Sequence, residues 1–116
     1  MTQIKLTRRA NFDLVDIYDF SVEKWGVSVA DNYITGLQKA LLLLQENPEI
    51  LIQNPKVSSR FQCYRYQKHW LMCETISDVI IILTVLHSSS SILENLKKYE
   101  PSLETEAEIL YRKLKG

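Results

Sequence analysis

Between Lys56 and Cys73 the chain carries Lys56, Arg60, Arg65, Lys68 and His69 without a single acid. Phe61, Tyr64, Tyr66 and Trp70 interleave them. Cations pair with phosphate and aromatic rings stack on bases, so this composition fits a nucleic-acid surface. It equally fits a solvated hairpin whose aromatics pair across strands. His87 closes the apolar run DVIIILTVLH and is followed by four serines, Ser88–Ser91. An imidazole at a strand end can act as a general acid or base, or serve as a hydrogen-bonded structural group. His69 falls at a predicted turn, where solvation is expected. The serines lack a G-x-S-x-G setting, so nothing supports a serine nucleophile.

Asp13, Asp16, Asp19 and Glu23 share one helical face. By residue type they could hold a metal, but i, i+3 spacing without histidine reads as a solubilising stripe, and no metal or cofactor is expected. Phe12 and Phe20 project among those acids, which marks them as a surface for a partner. Cys63 and Cys73 have no metal-ligand spacing. Both are equidistant from Lys68, so a hairpin centred there would set them opposite each other, with reduced thiols the expectation for a cytoplasmic chain.

These residues need elements to position them. Ile4 and Leu6 alternate with polar neighbours and predict a first strand. Leu14, Ile17, Tyr18, Ser21 and Trp25 predict the core face of a helix from Arg8 to Trp25, stopped by Gly26. Ser28 reads as the next N-cap, with Asp31 as its capping-box partner. Val29, Tyr33, Leu37, Leu41 and Leu44 predict the core stripe of a second helix, with Ala30, Ile34 and Ala40 beside it, and Asn47-Pro48 ends the helix. Gly36 inside it predicts a close packing contact. Residues 47–59 read as a loop. Arg60–Tyr66, Trp70–Ile76 and Val79–His87 predict an antiparallel meander, the last strand buried on both faces. Ile92–Tyr99 predicts a short helix. Leu103, Ala107, Leu110 and Leu114 predict a final one.

The 116 residues suit one domain with its own core. Fourteen basic residues balance fourteen acidic ones, which argues against binding nucleic acid by bulk charge. The N-terminus MTQIKLTRRA has no apolar signal-peptide core, and the longest apolar runs are too short to span a bilayer. A cytoplasmic protein without a membrane partner is expected.

The order of strand, helical hairpin, loop and three-strand meander resembles the ParE/RelE toxin superfamily, and within it the ParE-like branch. The segments LTRRANFDLVDIYDFSVEKWG, QENPEI, SRFQCYRY and IIILTVLH carry the resemblance. It implies an α+β fold, β-α-α-β-β-β, with the helical hairpin packed on a small, mainly antiparallel sheet. Residues 1–91 would form the toxin domain and residues 92–116 a C-terminal helical extension of it. It implies the toxin of a type II toxin–antitoxin (plasmid stabilisation) pair, neutralised by a cognate antitoxin and acting on DNA gyrase. Phe12, Phe20, Arg60 and Tyr64 are the expected partner contacts. The alternatives are a ribosome-dependent mRNA endonuclease of RelE type, with Arg60, Arg65, Lys68 and His87 as candidate catalytic residues, and a non-toxic remnant that only binds antitoxin.

Arg60 resembles the family arginine that opens the second strand, and His87 the histidine that closes the last. The chain departs from the pattern at Thr84, where an arginine is usual, and at Ser88–Ser91, where glycine and arginines are usual. The tyrosine that follows the strand in several nuclease members is also missing. Phosphoryl transfer needs cations to stabilise charge developing on phosphate, so these departures weigh against an enzyme.

Overall fold

A computed structural model describes residues 2–53 and 60–88. The element order is β1 (Gln3–Leu6), α1 (Arg8–Trp25), α2 (Val27–Glu46), a 3₁₀ turn (Pro48–Ile50), β2 (Gln62–Tyr66), β3 (His69–Ile76) and β4 (Val79–His87). The strands form one sheet in the order β1-β4-β3-β2. β2, β3 and β4 run antiparallel, and β1 lies parallel to β4 at the other side. The fold is α+β, as expected.

β4 is central, and Val79 through Leu86 are all buried. That is why its sequence is almost continuously apolar rather than alternating. One face meets the helices: Ile80, Ile82 and Val85 pack with Leu71, Cys73, Ala10, Leu37 and Leu44. The other face collects Phe61, Cys63, Met72, Ile81, Leu83 and Leu86, with Trp70 and Ile76 against them.

Met72 pairs with Thr84 but Cys73 pairs with Ile82, so Leu83 is an extra residue in β4. A bulge of this kind leaves backbone groups outside the ladder, and buried ones must find partners. The first turn and a half of α1 supplies them. Thr7 is the N-cap of α1: its hydroxyl accepts from the Ala10 amide at 3.1 Å and donates to the Leu83 carbonyl at 2.8 Å. Asp13 Oδ2 accepts from the Val85 amide at 2.9 Å and from the Thr84 hydroxyl. Asp13 therefore leaves the solvated stripe assigned to it from the sequence, because the bulge needs its carboxylate. Asp16, Asp19 and Glu23 are exposed.

Several local expectations change. Gly26, at φ 94°, is both the C-cap of α1 and the N-cap of α2, and no side chain caps α2. Ser28 is thus inside the helix, and Asp31 accepts from the Tyr18 hydroxyl at 2.7 Å instead of closing a capping box. Trp25 is 60% exposed rather than part of the core, and Val29 is exposed too. The buried line of α2 is Ala30, Leu37, Ala40 and Leu44, rotated from the predicted stripe. Gly36 does mark a close approach, but to β2: a Cβ there would lie 1.9 Å from the Tyr66 hydroxyl.

Both hairpins turn on two residues, Gln67-Lys68 and Ser77-Asp78, and Gln67 and Ser77 have positive φ. The first turn pairs Tyr66 with His69, so Cys63 faces Met72 and Cys73 faces Gln62. The two thiols belong to opposite faces of the sheet, not to one opposed pair. β2 begins at Gln62, two residues later than expected, and Arg60 lies in the preceding turn. Residues 54–59, Ser89–Ser91 and the extension 92–116, including both predicted helices, lie outside the described residues.

Candidate functional site

The sequence-derived candidates do not converge. Arg60 Nε lies 2.6 Å from Glu74 Oε1, and Glu74 is buried. Glu74 pairs in register with Ile81, whereas His87 pairs with His69. Ile81 and His87 are six positions apart on β4, and Glu74 and His69 five apart on β3, so Arg60–Glu74 and His87 are separated by about 17–20 Å. Among the described residues Glu74 Oε2 has no hydrogen-bond partner. Arg65 is exposed on β2, with its guanidinium 5.5 Å from the centre of the Trp70 ring and its Nε donating to the Gln67 carbonyl at 2.8 Å. Lys56 lies outside the described residues.

The aromatics of this segment do not form one stacking surface either. Tyr64 and Tyr66 pack toward the helices, while Phe61 and Trp70 join the opposite face. Strand alternation forces that division.

What does converge was not legible as a motif. Tyr33 of α2, His69 at the start of β3 and His87 at the end of β4 meet at one end of the sheet. The Tyr33 hydroxyl is 2.5 Å from His69 Nδ1 and 3.5 Å from the Tyr66 carbonyl. Tyr33 has one hydroxyl proton, so it either donates to His69 Nδ1 or accepts from it while donating to the Tyr66 carbonyl. The His69 and His87 rings stand edge to face, 5.2 Å between centroids. Tyr33 stands the same way to Tyr66 at 5.3 Å. Burial, with His87 beside it, lowers the His69 pKa to about 4. Burial, with Tyr66 adding to it, raises that of Tyr33 to about 12. Both groups are neutral near pH 7, which suits a hydrogen bond between hydroxyl and imidazole. His69 is therefore half-buried and partnered, not solvated as its place beside a turn suggested.

These residues line a cleft of about 590 Å³. Its rim is apolar: Phe20 and Trp25 are each 60% exposed. Lys24 lies over both rings, 5.5 and 5.3 Å from their centres. Lys68 lines the opposite wall, and the Ser88 amide donates to its carbonyl at 2.7 Å, fixing the turn against the end of β4. Phe12, the other aromatic singled out from the sequence, is 63% exposed farther along α1.

Thr84 answers a separate question. Its hydroxyl is held between Arg9 Nε at 3.4 Å and Asp13, so this position faces α1. The chain has no arginine there, and the bulge would turn one into the helix. Among the described residues no group of three or more His, Cys, Asp or Glu could hold a metal ion. Among them, too, no helix is long and apolar enough to cross a membrane.

Comparison with known proteins agrees with this architecture. Residues 4–92 match the family model described as ParE toxin of type II toxin-antitoxin system, parDE. Toxin ParE1 of Caulobacter vibrioides is 40% identical over 48 residues, which are 41% of this chain and 50% of that protein. The match thus spans about half the length of the curated relative. A solved structure of the chromosomal ParDE TA system from P. aeruginosa superposes with a TM-score of 0.67 at 21% identity, covering 75% of this chain and 96% of that one. At that identity the superposition supports the fold.

Proposed function

The chain belongs to the ParE toxin family of type II toxin–antitoxin systems, and from that premise we propose that a cognate antitoxin binds and neutralises it, and that the free chain arrests growth by inhibiting DNA gyrase in the cytoplasm. The observation that carries the antitoxin claim is the exposure of three aromatics on α1, Phe12, Phe20 and Trp25. Large apolar side chains left in water beside charged ones are the usual anchor points of a protein partner. Tyr64 and Arg60 are less suited to that role: Tyr64 packs toward the helix-side core and Arg60 is engaged by Glu74.

The wide separation of Arg60 and His87 supports a non-enzymatic mode of action. A phosphoryl-transfer site needs its cations within a few ångströms of one phosphate. The RelE-type reading draws on one feature, the His69–His87 pair, which brings two imidazoles together.

Inducing the chain without its antitoxin tests these readings. Growth arrest with gyrase trapped on broken DNA is the expected result. Codon-phased cleavage of ribosome-bound mRNA would replace gyrase with the nuclease reading. A folded, well-expressed chain without effect on growth would leave only antitoxin binding.

A further inference from the structure

We propose that the cleft between the α1–α2 hairpin and the β2–β3 turn binds a nucleoside phosphate, either free or as one unit of a single strand, with its base against Trp25 and Phe20 and its phosphate against Lys68. The cleft's volume, about 590 Å³, falls in the range of pockets that enclose small ligands. Its two walls ask for different halves of one ligand. On one side Phe20 and Trp25 are each 60% exposed, with Lys24 over both rings, and aromatic rings of this kind take flat π-systems. On the other, the ammonium of Lys68 stands on a turn that the Ser88–Lys68 hydrogen bond holds in place.

The charge at the site favours an anion. Lys24 and Lys68 line it against one carboxylate, Asp16, among the described residues. The histidines add no competing negative charge. His69 lines the site and is neutral near pH 7, its pKa lowered to about 4 by burial. An acidic peptide without aromatic or apolar side chains would satisfy the lysines but not the two aromatic rings. A nucleotide satisfies both with a single rigid unit, and so loses less conformational freedom on binding. The site stands apart from the growth-arrest reading: ligand binding by the purified chain can succeed or fail whatever the cellular target.

The test is fluorescence anisotropy of a dye-labelled AMP titrated with the purified chain, with unlabelled AMP, UMP, the oligonucleotide (dT)8, an acidic peptide and inorganic phosphate as competitors. Saturable binding is expected. Lys68→Glu and Trp25→Leu should each weaken it at least tenfold, and Lys39→Glu, outside the cleft, should leave it unchanged. Thermal melts check folding, with Lys68→Gln and Trp25→Ala as substitutes if a variant does not fold. Tighter competition by (dT)8 than by AMP assigns the ligand to single-stranded nucleic acid, and equal or weaker competition assigns it to free nucleotide. Absence of saturable binding at millimolar nucleotide overturns the proposal. So does competition by phosphate or by the acidic peptide as effective as AMP, or affinity indifferent to Lys68 and Trp25.

Discussion

Asp13 on α1 holds Val85 on β4 through a 2.9 Å hydrogen bond from the amide to Oδ2, and the neighbouring Thr84 hydroxyl donates to the same oxygen. One carboxylate thereby satisfies a backbone amide beside the bulge at Leu83 and the side-chain hydroxyl next to it. Removing it leaves a buried amide and a buried hydroxyl without their acceptor. Asp13→Ala should therefore destabilise the chain by about 2–3 kcal/mol, measured by denaturant unfolding. Asp13→Asn, which keeps a carbonyl acceptor, should cost clearly less.

The same geometry bears on the arginine usual in this family. Because Thr84 faces α1, Thr84→Arg would drive a guanidinium against Arg9 and into the packed helix–sheet boundary. The expected outcome is a loss of about 2–4 kcal/mol of stability with no gain in toxicity. A stable, more toxic Thr84→Arg chain would show that position 84 can reach the opposite face.

Acid should loosen the Tyr33–His69 contact. The folded pKa of His69 is about 4, against 6.5 as its ordinary value. Between those values the unfolded chain binds the proton and the folded chain does not. The stabilisation is thus complete above pH 6.5 and is lost as pH falls toward 4. The slope is bounded by about 1.4 kcal/mol per pH unit, the limit for a difference of one proton between the two states, and should lie below it for this half-buried group. Unfolding midpoints measured across that window should flatten in His69→Gln relative to the parent.

Phe20→Asp places a charge among the exposed aromatics of α1. It should weaken antitoxin binding by about 2 kcal/mol, read by calorimetry, with an unchanged melting temperature because the side chain is already in water. Equal affinity for parent and variant would remove Phe20 from the antitoxin interface.

The thiols should be inert in the folded chain. Cys63 and Cys73 are free and buried. Desolvation pushes both thiols up, Cys73 far above its ordinary value with Cys63 adding to the effect. Alkylation at pH 8 should label neither residue until denaturant is added. Oxidation should not join them, since they lie on opposite faces of the sheet.

Local chemistry made most of the fold legible. The buried run Val79–Leu86 could be read as a central strand from its apolar continuity, and Gly26 as a helix stop from its lack of a side chain. Phe12 and Phe20 stood out as exposed because helical periodicity placed them among acids. Each of these features depends on neighbours within one element. The bulge at Leu83, the roles of Thr7 and Asp13 in satisfying it, and the contact of Tyr33 with His69 depend on strand register and helix–sheet packing. Periodicity within a segment carries no signal for these, and so Asp13 looked solvated and His69 looked like a turn residue. The sequence by itself determined the family, the order of the strands and helices among the described residues, and the exposure of Phe12 and Phe20. Only the tertiary structure decided which polar groups meet, because residues as far apart as Asp13 and Val85 are joined by the packing of distant segments and not by any pattern along the chain.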